Sequence, residues 1–276
     1  MGYKFMDGED NMKREAEKYK YQRGYTTKLI VFFIACVSLT LSGCAKKKAT
    51  STTDNLNFQV KPTELEAIAT GELIKRLTDV CDFGTGFHPT AWADAFIAVD
   101  DSAQFEGGII GSEEPKVSMV MRELVRRGTK ALPELINNLS NAAETKVTVK
   151  HESNFGGMWH SNEYDPRNEE SILIASEPNQ KHISEYTLKV GDLCLVAIGQ
   201  IVNRNLFALR YQPTECLIIN SPVQMPSLME EVKKDWSGLT DEQFKQSLQE
   251  DLKSNNPWRL KGAAKRLKFY YNITVR

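Results

Sequence analysis

Signatures of the common hydrolytic chemistries are missing from this chain of 276 residues. It holds no HExxH pair, no paired-cysteine grouping and no G-x-S-x-G turn, so nothing in it resembles a zincin, a zinc ribbon or a serine hydrolase. Phosphate-cradling loops are missing as well. Phe83-Gly84-Thr85-Gly86-Phe87 contains G-x-G, but it has no third glycine and no strong strand before it, so its glycines mark a turn. Charge of either sign is scarcely in excess: 35 basic residues face 36 acidic ones. Such a balance lacks the basic footprint that nucleic-acid binding requires. Long apolar runs are also scarce, and the one present lies near the N-terminus.

That run is Leu29 to Leu41, 13 residues in which Ser38 and Thr40 are the polar members. As a helix it would reach about 20 Å, short of a hydrocarbon core of about 30 Å. Lys28 and a basic stretch precede it, the arrangement of a signal peptide. It ends in Leu41-Ser42-Gly43-Cys44, an apolar residue, two small ones and a cysteine, which resembles the lipobox of bacterial lipoproteins. The resemblance implies that residues 1–43 are a leader and signal peptide, and that Cys44 becomes the lipid-carrying first residue of the mature protein. A short uncleaved anchor is the competing reading. Several acyl chains, at about 0.8 kcal/mol per buried methylene, hold a soluble domain durably where one chain does not. The covalent lipid is the only cofactor expected. Met12-Lys13-Arg14 is an alternative start. Ala45 follows the cysteine, where an aspartate would imply retention at the inner membrane, so the periplasmic side of the outer membrane is favoured.

After Cys44 come 28 basic and 31 acidic residues, a mature chain of about −3. Residues 44–61 are polar, with Ala49-Thr50-Ser51-Thr52-Thr53 at their centre, and are expected to form a tether. Apolar content of 41% against 26% charged then supports a single globular domain over residues 62–276.

Within it, Thr63-Glu64-Leu65-Glu66 has the form of a capping box, with Leu65, Ile68, Leu73 and Leu77 continuing at helical spacing. A short helix is expected near Pro89 to Phe96. Val117, Val120, Met121, Leu124 and Val125 share a stripe that stops at Gly128, and Leu132, Leu135, Ile136 and Leu139 form another. Leu124-Val125-Arg126-Arg127-Gly128 followed by Ala131-Leu132-Pro133-Glu134-Leu135-Ile136 resembles one unit of a HEAT-like helical repeat. No second copy recurs at a fixed period.

Val147 and Val149 alternate with polar residues as in a strand, and Ser171 to Ala175, Ile183 to Val190 and Cys216 to Ile219 are further strand candidates. Asp192 to Arg204 suits a buried strand or a buried helix; its length and an Asp192 cap favour the helix. Capping boxes at Ser227 and Thr240, and Asn256-Pro257, open three tail helices. The last carries Leu260, Ala264, Leu267 and Tyr271 on one face. Its Lys261, Lys265, Arg266 and Lys268 are expected on a solvated face, with contact to anionic lipid headgroups as the minority alternative. The fold class is therefore α+β, helical at both ends with a short-stranded middle.

One stretch concentrates chemistry. Residues 151–165 hold His151, His160, Glu152, Glu163 and Asp165, donors that suit a divalent transition metal, together with Trp159 and Tyr164 as candidate pocket aromatics. The two histidines are nine apart, which matches no metal motif. Cys81, Cys194 and Cys216 permit one disulfide, although the apolar settings of Cys194 and Cys216 favour buried, unpaired thiols. No histidine neighbours any of them in sequence to activate a thiolate. The functional expectation is a non-catalytic, lipid-anchored cell-envelope protein that contacts the membrane through its lipid and binds an envelope protein or wall component. The alternative is an envelope metal-dependent hydrolase working through the loop from His151 to Asp165.

Overall fold

The computed structural model describes residues 62–81, 96–99, 118–151, 156–165, 182–211 and 216–275. The signal peptide, Cys44, the tether, most of the helix expected near Pro89 to Phe96, Glu152 and the strand expected at Ser171 to Ala175 lie outside the described residues. The chain in view is mixed α and β with small sheets, as the alternating and helical patterns predict.

One helix organises the core. It is α5, Val190–Val202, preceded in the chain by α1 Pro62–Glu66, α2 Thr70–Arg76, α3 Met119–Arg126 and α4 Leu132–Asn137. Its sequence VGDLCLVAIGQIV has no polar face, and every residue except Gln200 is buried. A helix apolar all round has to be buried, and 13 residues are too few to span a bilayer, so this one sits inside the protein. Helices α2, α3 and α4 all lie against it. They bring Leu73, Ile74, Met121, Leu124, Leu132 and Leu135 into one core with Leu193, Ile198 and Ile201. The apolar run of 192–204 is thus a helix. Asp192, however, is not its cap: Lys189 holds that position, and Asp192 sits three residues inside and accepts the Lys189 N–H at 2.8 Å.

The expected first helix is broken. Residues 67–69 separate α1 from α2, and Arg127 fills the gap. Its guanidinium donates to the carbonyls of Leu65 and Ile68, at 3.0 and 2.7 Å, and to Thr70 Oγ1 at 3.0 Å. Glu123 anchors the same guanidinium at 3.0 Å. A cation thereby serves the carbonyls at a helix end, sharing the Leu65 oxygen with the Ile68 N–H. Gly128 stops α3 as expected, in a left-handed conformation with φ of 58°.

Among the described residues the strands form two sheets. β1 (Glu144–Lys150) and β4 (Glu185–Lys189) make an antiparallel ribbon in which Thr148 faces Thr187. The alternation read at Val147 and Val149 places both inside and the lysines outside. The second sheet has the order β3-β2-β6-β5, from β2 Gly157–His160, β3 His182–Ile183, β5 Leu209–Tyr211 and β6 Cys216–Ile219. Here β2 and β6 run parallel, pairing Gly157 with Cys216 and His160 with Ile219. Neither β2 nor β5 is anticipated by the sequence reading. Each is too short to display a period.

In the tail, α6 (Pro226–Trp236) starts one residue before Ser227, so the expected capping box there is absent. Helix α7 (Asp241–Asp251) opens on the expected box between Thr240 and Gln243. Helix α8 (Pro257–Tyr271) is capped by Asn256. Its inner face is the expected one in part: Leu267 is buried and Tyr271 packs on the core, but Ala263 and Arg266 also point inward while Leu260 is 40% exposed. Arg266 donates to Gln200 O and Asn203 Oδ1 and stacks on Phe96 at 4.6 Å, so it belongs to the interior. Cys194 is buried, Cys216 half-buried and Cys81 exposed, and no disulfide links them.

Gly191 marks a close approach of backbone to backbone in the core. A Cβ there would penetrate the Leu139 carbonyl oxygen and lie 2.8 Å from Val223 Cγ2. Backbone cannot yield as a flexible side chain does, so Gly191→Ala is expected to cost about 2 kcal/mol of stability. Urea unfolding monitored by circular dichroism measures it, and an unchanged midpoint would refute the close-packing argument.

Candidate functional site

Because β2 and β6 are parallel neighbours, their carboxyl ends emerge together. Apolar residues hold the strands in the core, and polar ones come at their ends: His160 closes β2 and Ser161-Asn162-Glu163 follow it, while Asn220-Ser221 follow β6. Ser161, Asn162, Asn220 and Ser221 are all buried. A buried polar group costs free energy unless it is hydrogen-bonded, so this seam has to be internally paired.

Asn220 does much of that pairing. Its side chain accepts the Glu163 N–H at 2.9 Å and donates to the Glu163 carbonyl at 2.7 Å, imitating a strand neighbour. Glu163 is thereby aimed at Arg210, whose Nε donates to Oε2 at 3.0 Å while Nη2 holds Oε1. Two residues on, Asp165 turns in a left-handed conformation with φ of 46°. Its Oδ1 accepts the Asn205 N–H at 3.0 Å, and its Oδ2 pairs with Arg259. Arg259 also reaches Asp251 at 3.7 Å, and Asp251 binds Arg204 at 2.7 Å. Arg204 in turn stacks over Trp236 at 5.2 Å. Between these pairs, Tyr164 donates to Asp235 at 2.6 Å and accepts from the Trp236 indole at 2.9 Å. Burial, joined by the Asp235 carboxylate, pushes the Tyr164 phenol up, so it stays neutral.

A second centre lies at the start of α5. Asp192 is fully buried. Its carboxylate accepts from the Tyr186 hydroxyl at 2.7 Å, from the Ser221 hydroxyl and from the Lys189 N–H. Burial raises its pKa to about 6, against the lowering effect of those donors. His160 meets the Tyr186 ring edge-on at 5.4 Å. Its buried Nδ1 has no hydrogen-bond partner, and burial lowers its pKa, which favours the neutral imidazole.

This geometry resembles a hydrolase triad in composition but not in polarity. A nucleophilic serine gives its proton to an imidazole that a carboxylate orients. Here Ser221 is wholly buried and donates directly to the carboxylate. Burial pushes the Tyr186 phenol and the Cys194 thiol up as well, so neither offers an anionic nucleophile. The cluster ties α5 to β4 and to the end of β6.

The sequence candidates are distributed between these networks. His160 belongs to the Tyr186 contact, whereas Glu163 and Asp165 face separate arginines. His151 lies just past β1, its N–H on the Ser184 carbonyl at 2.9 Å. Trp159 packs edge-on against His182 at 5.9 Å. Among the described residues no three His, Cys, Asp or Glu are grouped to hold a metal ion. The residues that the sequence reading missed are Arg204, Arg210, Ser221, Asp251 and Arg259. Their signal was slight: isolated polar residues at the edges of apolar runs, as Asn220-Ser221 after Cys216-Leu217-Ile218-Ile219. The chain matches no protein-family model, no curated protein and no solved structure, so the reading of this seam rests on its own geometry.

Proposed function

We propose that this protein is a lipid-anchored component of a bacterial cell envelope, acting by binding an envelope protein or wall component and not by catalysis. The observation that carries the reading is Leu41-Ser42-Gly43-Cys44 closing an uncharged run of 13 residues behind Lys28. The inner chemistry of the domain supports the non-catalytic part. The carboxylates of Glu163 and Asp165 are engaged by Arg210 and Arg259, and the Ser221 proton points at Asp192. These groups hold segments of chain together.

Metabolic labelling with an alkyne fatty acid, followed by membrane fractionation, tests the anchor. Wild type is expected to take up label and sediment with membranes. Cys44→Ser is expected to lose essentially all label, because thioether formation needs the thiol. Equal labelling of Cys44→Ser would overturn the reading. In vivo cross-linking from solubilised envelopes then tests the binding role, and repeated recovery of the chain alone counts against it.

A further inference from the structure

The outer face of α8 carries a composition that the rest of the domain does not. Residues 252–276 hold seven basic residues and no acidic one, while residues 45–251 hold 21 basic and 31 acidic. The mature chain is therefore polarised, about −10 over most of its length and +7 at its end. Two of those seven cations, Arg259 and Arg266, are spent inside the fold. Trp258, Lys261, Lys265 and Lys268 follow one another at i, i+3, i+7 and i+10, which puts them on a single stripe of a helix. All four are exposed, on the side of α8 opposite Ala263 and Leu267. Trp258 is 37% exposed, and the Lys261 ammonium sits 5.7 Å from the centre of its ring.

We infer that this stripe of α8 docks on anionic lipid headgroups, with Trp258 entering the interface and Lys261, Lys265 and Lys268 meeting the phosphates. Indole is the side chain that most favours the headgroup level, and lysine reaches past apolar surface to keep its charge at phosphate depth. The charge distribution argues for a surface and not a point ligand. An anionic plane attracts the stripe and repels the acidic remainder, which orients the domain with α8 downward. The inference draws on the lipid-anchored reading for the nearness of a bilayer: only residues 45–61 separate Cys44 from the domain. The attraction itself depends on the stripe alone.

The test places the full chain on vesicles through an N-terminal hexahistidine and a nickel-chelating lipid, so attachment does not require a lipid on Cys44. Quenching of tryptophan fluorescence by brominated acyl chains is compared in wild type and Trp258→Phe, which isolates Trp258 from the other three tryptophans. Vesicles with 30% phosphatidylglycerol are expected to quench Trp258 and pure phosphatidylcholine to leave it bright. Three lysines at the surface shift the docked-to-undocked ratio about a hundredfold. Lys261→Glu/Lys265→Glu/Lys268→Glu is expected to abolish quenching, and the matching glutamine variant to reduce it. All three positions are exposed, so the fold has no reason to fail. Quenching that ignores lipid charge, or none on either vesicle, overturns the inference. A Trp258 response to soluble polyglutamate with none to vesicles also overturns it and assigns the stripe to a soluble polyanion. A failure of Cys44 labelling leaves this readout untouched, and a bright Trp258 leaves the anchor untouched.

Discussion

Asp192→Ala is expected to lower the free energy of unfolding by about 4 kcal/mol at pH 7, while Asp192→Asn stays within about 1 kcal/mol of wild type. Alanine withdraws the acceptor shared by the Tyr186 hydroxyl, the Ser221 hydroxyl and the Lys189 N–H. Tyr186 can turn to Ser221, 2.9 Å away, but two donors are then left in a buried site. Asparagine keeps an acceptor oxygen and the shape, and removes the cost of burying a charge. Equal losses for both variants would mean that the charge is what the site requires.

The same residue sets an unusual pH dependence. Its pKa is about 6 in the folded state against an ordinary 3.8. The folded protein therefore binds the extra proton between those values, and the unfolding free energy falls as pH rises through them, by about 3 kcal/mol in all. Above pH 6 the full cost is present, and below about pH 4 it is absent. His160 acts in the opposite direction. Its lowered pKa means that the unfolded chain binds protons first, so its contribution is lost as pH falls below the ordinary imidazole value. Removing the Asp192 titration should leave the His160 slope alone. Urea melts of wild type and Asp192→Asn from pH 4.5 to 8 are expected to cross, with the variant relatively more stable at high pH. Parallel curves would contradict the assignment.

Asp251→Ala carries the second large effect, about 3 kcal/mol. Its side chain is 5% exposed and accepts from Arg204 and Asn203, both at 2.7 Å, with Arg259 at 3.7 Å. Breaking a buried pair by removing one partner leaves an uncompensated charge, which is costlier than never having had the pair. Arg259 keeps Asp165, but Arg204 keeps only carbonyl acceptors and the face of Trp236. The arginines are 14% and 19% exposed, so solvent relieves part of the cost. A double-mutant cycle with Arg204→Met separates the pair from the stranded charge: the double variant is expected to be more stable than Asp251→Ala alone. Additive losses would refute the network.

Much of the architecture is legible in the residues, for local reasons. The Thr240 box, the Asn256-Pro257 start and the Gly128 stop each act within one turn of chain and form as expected, although the equally local Ser227 box gives way to a helix that begins at Pro226. The alternation of Val147 and Val149 is equally local. The inward turn of Arg266 is not legible in the primary structure, where an arginine on a helix reads as solvent-facing. Only Gln200, Asn203 and Phe96, distant in sequence, make it an interior residue. The seam was harder still. His160, Glu163 and Asp165 are visible as a dense polar loop, yet the partners that decide their meaning lie far along the chain, at Tyr186, Arg210 and Arg259. A carboxylate awaiting a metal and one saturated by a distant arginine look the same in the primary structure.

The parallel pairing of β2 with β6 has a kinetic consequence. Residues 157–160 cannot meet residues 216–219 until the whole of α5 and the β3-β4 stretch between them has been traversed. Closing that loop costs entropy before any contact rewards it, whereas the caps of α7 and α8 form from neighbours within one turn. The β2-β6 junction is therefore expected to form after those local caps, and the polar groups at its carboxyl end with it. Asn220 and Ser221 meet Glu163 and Asp192 only through that closure, so the polar seam is expected to form with the non-local core and not with the local caps.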